Sequence, residues 1–207
     1  MTSFAPATVA TFGSTEPNVP LVILLHGRGS NESEIIGLAK RLPQEATYVA
    51  VRAPIGDGGG FAWFANRRIG RPVAESLRET MDWFTTWFDG FVAQNRKVIL
   101  VGFSGGAAFA GGLILDRPEK YSGAAILYGT LPFEAGVSVV PNRLLNTPMF
   151  IAQGSNDHVI PRELLDRTAQ YIEEESGATV TRSFGAGGHG ITEEALTDLQ
   201  KWILDFC

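Results

Sequence analysis

The stretch Val98-Ile99-Leu100-Val101-Gly102-Phe103-Ser104-Gly105-Gly106-Ala107-Ala108 constrains this chain more than any other. An apolar run, a serine in the pattern G-x-S-x-G and a run of small residues follow one another without a spacer. That order suits a buried strand that turns sharply into a helix. Gly102 and Gly106 flank the serine because side chains there would clash in so tight a turn. The turn pushes the Ser104 hydroxyl out above the sheet, and the next helix aims its free amides and positive dipole end at the same spot. The pattern alone also fits a glycine-rich turn whose serine merely caps a helix, so the rest of the chain has to decide.

Short apolar runs alternate with longer amphipathic ones, which predicts a mostly parallel central sheet with helices on both faces. Strands are expected at 19–25, 48–51, 98–103, 123–128, 149–153 and 178–184. Helices are expected at 32–42, 73–95, 105–115, 161–175 and 192–206. Residues 56–72 contain Gly58-Gly59-Gly60, show no regular period and read as a loop. Trp83, Phe84, Trp87, Phe88 and Phe91 recur at helical spacing and read as core packing rather than a cofactor box. Only about twenty residues, 129–148, join two of the late strands, which is too few for a lid domain. Residues 1–207 are therefore read as one domain.

A serine alcohol is a weak nucleophile at neutral pH and needs a base in hydrogen-bond reach. Three histidines are available: His26, His158 and His189. On a fold with this elbow the order is serine, then acid, then histidine, which excludes His26. His189 lies in Gly187-Gly188-His189-Gly190, after the last expected strand, where such sheets place their ligands. Asp157, at the end of Phe150-Ile151-Ala152-Gln153-Gly154-Ser155-Asn156-Asp157, is the candidate acid. Glu163 and Asp166 fall in the same interval but follow Pro161, which starts a helix. His158 adjoins Asp157 and would put acid and base on one turn. Two donors must also meet the oxyanion. They are assigned to the amides of Gly105 and of Arg28 in His26-Gly27-Arg28-Gly29, with the His26 ring holding that loop.

These motifs resemble those of the phospholipase/carboxylesterase family of α/β-hydrolases, and the resemblance runs over nearly the whole chain. The matching stretches are Leu24 to Glu32, Gly102 to Ala107, Gly154 to Pro161 and Gly188 to Ile191. The resemblance implies an α/β-hydrolase fold without a lid and a carboxylesterase acting on small-molecule esters. It further implies no metal or organic cofactor and, as is often so in the family, a homodimer. Thioesterase-like members usually carry Gln after the nucleophile. Here Gly105 stands in its place, which favours esters over thioesters. Relatives place a Trp-Phe or Trp-Tyr pair beside the pocket, so Trp63 and Phe64 are candidate substrate contacts, with Leu131 on the other side.

Other chemistries lack a carrier. Gly185 to Gly190 fits G-x-G-x-x-G, but only one helix follows, so no second strand can supply a ribose-binding acid. No P-loop lysine pattern, H-E-x-x-H or C-x-x-C occurs. Net charge is −5, and the densest basic spot is only Arg67, Arg68 and Arg71, so nucleic acid is not an expected partner. The single cysteine, Cys207, allows no internal disulfide. The opening residues lack a signal-peptide pattern and no apolar run could span a bilayer, so a cytoplasmic protein without membrane insertion is expected. Two rival readings remain: lactone opening of the dienelactone-hydrolase kind, whose nucleophile is usually Cys, and a ligand-binding protein with little turnover.

Overall fold

The computed structural model describes residues 4–93 and 95–207. Met1, Thr2 and Ser3 of the opening segment, and Gln94 of the expected helix 73–95, lie outside the described residues.

Eleven strands and five α-helices follow in chain order among the described residues. The first half holds β1 (Val9–Gly13), β2 (Leu21–Leu25), α1 (Glu32–Ile35), β3 (Thr47–Val51), β4 (Ile55–Asp57), β5 (Gly60–Ala62), β6 (Asn66–Arg68), β7 (Arg71–Pro72) and α2 (Ala74–Phe91). The second holds β8 (Val98–Phe103), α3 (Gly105–Asp116), β9 (Gly123–Leu127), β10 (Pro148–Gly154), α4 (Arg162–Gln170), β11 (Thr179–Gly185) and α5 (Glu193–Leu204). Seven strands form one sheet in the order β1-β3-β2-β8-β9-β10-β11. Only β1 runs antiparallel, against β3; every other pair is parallel.

The alternation of side chains along β2 shows how the sheet is wrapped. Leu21, Ile23 and Leu25 face one layer, where Leu77, Met81 and Phe84 of α2 and Phe109 and Leu113 of α3 pack. Val22 and Leu24 face the other, against Ala39, Leu42 and the α5 residues Leu196, Leu199 and Trp202. A strand covered on both faces has no need of polar residues, hence the continuous Leu-Val-Ile-Leu-Leu run. Of the aromatics of α2, Phe84 and Phe88 are core: they meet at a centroid distance of 6.1 Å, and Phe84 stands edge-on to Phe109 at 5.6 Å. Trp83 and Trp87 are partly buried against them, while Phe91, expected in the core, is exposed at the end of the helix.

Four local expectations are corrected. The segment 32–42 is one turn of α-helix followed by a 3-10 stretch, Ile36–Arg41, rather than a single helix. Its apolar spacing of three and four fits both helix types. Residues 56–72 are not an irregular loop but carry two small hairpins, β4–β5 and β6–β7. The expected helix 161–175 ends in a π-helical turn, Tyr171–Glu175. Finally, β1 was not anticipated; it is half-exposed at the sheet edge, where no continuous apolar run is required.

Candidate active site

Parallel strands bring their carboxyl ends to one edge of the sheet, and the loops after β2, β8, β10 and β11 meet there. Ser104 leaves β8 with φ 54° and ψ −114°, torsions that L-residues rarely adopt. Its amide is tied to the Leu127 carbonyl at 2.9 Å. A Cβ on Gly102 would fall 2.2 Å from the Gly106 carbonyl oxygen, and one on Gly106 2.1 Å from that of Leu25. The turn therefore admits no side chain at either position.

His189 Nε2 lies 2.9 Å from Ser104 Oγ, and its Nδ1 lies 2.8 Å from Asp157 Oδ2. The other carboxylate oxygen, Oδ1, accepts from the amides of Val159 at 2.8 Å and Ile160 at 3.1 Å. Burial by itself would raise the Asp157 pKa. The His189 hydrogen bond and the two amides outweigh it and hold the carboxyl below its usual range. An ionised carboxylate only accepts, so Nδ1 carries the ring proton and Nε2 is left to accept from the serine. The two loops are laced together: the Asn156 amide donates to the Gly187 carbonyl at 3.1 Å, and its Nδ2 to that of Ala186 at 2.7 Å. Gly154 permits this approach, since a Cβ there would meet the Gly187 carbonyl oxygen at 2.1 Å. Asn156 was not singled out from the sequence, because its role lies in contacts across thirty residues of chain.

The Arg28 loop closes over the N-terminus of α3. A Cβ on Gly105 would sit 3.3 Å from the Arg28 amide nitrogen, so glycine lets the two backbones come close. Among the described residues neither amide is given to an acceptor. The Arg28 side chain turns aside, with Nη1 donating to the Phe64 carbonyl at 3.0 Å and Nε paired with Asp57 at 2.8 Å. His26 is fully buried beneath this loop. Its Nδ1 donates to the Gly27 carbonyl at 2.7 Å and its Nε2 accepts from the Ala53 amide at 3.0 Å, while burial lowers its pKa.

A profile of the phospholipase/carboxylesterase family matches residues 7–206. The chain belongs to this family. A protein described as a hydrolase, MhqD of Bacillus subtilis, is similar at 26% identity over 91% of this chain and 93% of its own. Acyl-protein thioesterase 1 of Candida albicans is 24% identical over 88% and 90%. Among solved structures, the Bacillus cereus carboxylesterase superposes with a TM-score of 0.85 at 22% identity, covering 97% of this chain and 95% of that one. The fold is thus that of the α/β-hydrolases, and the chain is a hydrolase of the phospholipase/carboxylesterase family.

In this family member a cavity of about 520 Å³ opens beside Ser104 and His189. Phe64, Phe103 and Ile160 line it, and the half-exposed Ile69 and Val159 stand at its walls. Of the three residues expected to touch substrate, only Phe64 reaches the cavity. Trp63 is buried, stacks on Phe109 at 4.4 Å and donates its indole N–H to the His26 carbonyl at 2.9 Å. Leu131 is likewise fully buried, packed over Gly111. Both are core residues that hold the walls. His158 is exposed and takes no part in the Ser104–His189–Asp157 chain. Ile69 and Asn66 were missed because they sit on the β6–β7 hairpin, whose sequence has no period to read. Among the described residues no cluster of His, Cys, Asp and Glu could hold a metal ion, and no helix is long and apolar enough to cross a membrane.

Proposed function

We propose that this hydrolase cleaves carboxylic esters of short to medium acyl chain through an acyl-enzyme formed on Ser104. The observation that carries the reading is the unbroken run of bonds from Ser104 Oγ through His189 to the shielded Asp157 carboxylate. As Oγ attacks the ester carbonyl, His189 Nε2 takes its proton. The positive charge that then forms on the ring is stabilised by Asp157, which stays ionised. Negative charge moves to the carbonyl oxygen, and the Arg28 and Gly105 amides donate to it; one such donor is worth roughly 10² to 10³ in kcat. His189 returns the proton to the departing alcohol, and a water repeats the sequence to release the acid.

Chain length follows from the cavity. Its exposed lining is mainly apolar, and among the described residues no lid covers it, which suits acyl groups that need little enclosure. Relatives described as thioesterases extend the reading to thioesters only as a lesser activity, given Gly105 after the serine. A panel of 4-nitrophenyl esters from acetate to laurate checks the proposal. The expected result is highest kcat/KM at short to medium chains, with a burst of nitrophenol equal to the enzyme concentration where deacylation is slow. Release no faster than in buffer across the panel would overturn it and favour a ligand-binding protein.

A further inference from the structure

Asn66 is the one described residue with a buried side-chain polar atom left without a partner. Its Oδ1 is shielded from solvent and receives no hydrogen bond. Leaving such an atom unpaired is costly, so an orphan of this kind calls for an explanation. Here the residue lines the cavity beside Ser104. Its Nδ2 also makes no hydrogen bond among the described residues, and the residue as a whole is part-exposed.

The amide is held on a fixed wall. Asn66 opens β6 opposite Pro72, which has no N–H to give, and the ladder shifts register before Arg68. The far end of the hairpin is docked: a Cβ on Gly70 would strike Leu164 Cδ1 at 2.7 Å and Thr130 Cγ2 at 3.1 Å. The charged groups of the cavity offer nothing to an anion. Arg28 is matched by Asp57, and Glu34 is bonded to Ser30 and Asn31 and forms no ion pair among the described residues.

We propose that Asn66 is a specificity-determining residue that recognises a neutral hydroxyl on the substrate. The proposal rests on the ester-hydrolase reading only for the location of the substrate site. Oδ1 lies out of a ligand's reach as it stands, but χ2 of an asparagine is broad and roughly two-fold, so a half-turn exchanges Oδ1 with Nδ2 and lets the amide offer either an acceptor or a donor on its accessible side. A hydroxyl, donor and acceptor at once, suits either end. A site built for such a group rejects the analogue lacking it more strongly than an apolar pocket rejects a missing methylene.

The test uses Ser104→Ala protein, so that it measures binding whether or not the chain turns esters over. Ethyl butyrate, ethyl 3-hydroxybutyrate, ethyl 4-hydroxybutyrate and monoethyl succinate are titrated by NMR. At least one hydroxy ester is expected to bind tenfold or more tightly than ethyl butyrate and to shift the Asn66 side-chain amide signals. Monoethyl succinate is expected to bind no better than ethyl butyrate. Adding Asn66→Leu, or Asn66→Ala should the first variant fail to fold, should bring the hydroxy-to-plain ratio to within about twofold of one. Equal binding of all neutral esters, tightest binding of the succinate, or a preference that survives both Asn66 substitutions would each overturn the proposal. Failure of the nitrophenyl panel above would leave this measurement unaffected.

Discussion

Asp157 divides its two oxygens between its own loop and its partner's. Oδ1 takes the Val159 and Ile160 amides and Oδ2 takes His189, so backbone bonds aim the carboxylate before the imidazole arrives. Asp157→Asn keeps the volume and one acceptor oxygen but no charge, and it offers an N–H₂ group where an acceptor is needed. By analogy with other triads, kcat should fall about 10³ to 10⁴-fold while the thermal midpoint stays near that of the wild type. Glu163 and Asp166, the other acids in this interval, are exposed and pair with Arg71 at 3.7 Å and Arg162 at 2.8 Å. Glu163→Gln and Asp166→Asn should each change kcat by less than about threefold, since surface pairs contribute little. Steady-state kinetics on the three variants, with melts alongside, checks this. Near-wild-type turnover in Asp157→Asn would show that the acid comes from another strand end.

The β8–α3 elbow is the element on which the site is built, and its glycines can be tested directly. Gly106→Ala drives a methyl group toward the Leu25 and His26 carbonyl oxygens, 2.1 and 2.6 Å from where the Cβ would lie. Backbone cannot yield as a flexible side chain does. The substitution should therefore cost about 3 kcal/mol or more, the upper end of overpacking effects, and urea melts would report it. A stable Gly106→Ala protein with full activity would mean that the turn is looser than described. The elbow was also the most readable element. Strand 98–103 agrees with β8 to the residue, because burial on both faces demands an unbroken apolar run. The hairpins in 56–72 were unreadable for the opposite reason. Two- and three-residue strands rich in Gly and Arg carry no alternation, and they are held by tertiary contacts such as Gly70 against Leu164.

At the scale of the whole molecule, one parallel sheet turns residues far apart in the chain into neighbours. Each of the loops that carry Arg28, Ser104, Asp157 and His189 follows a strand whose carboxyl end lies on the same edge. Chain order together with strand ends therefore made the serine, acid and histidine recognisable without coordinates. The cavity walls were less so. Trp63 and Leu131 are aromatic and aliphatic like true lining residues, and only their depth in the fold shows them to be core. Asn66 and Ile69 line the cavity from a hairpin that the sequence does not announce. The central claim is that Ser104 is the nucleophile, and labelling with a fluorophosphonate probe, read by intact mass, tests it most directly. One adduct per chain is expected on Ser104, and Ser104→Ala should lose it along with about 10⁴-fold or more in kcat while remaining folded. Labelling of Ser104→Ala at the wild-type rate would contradict the account.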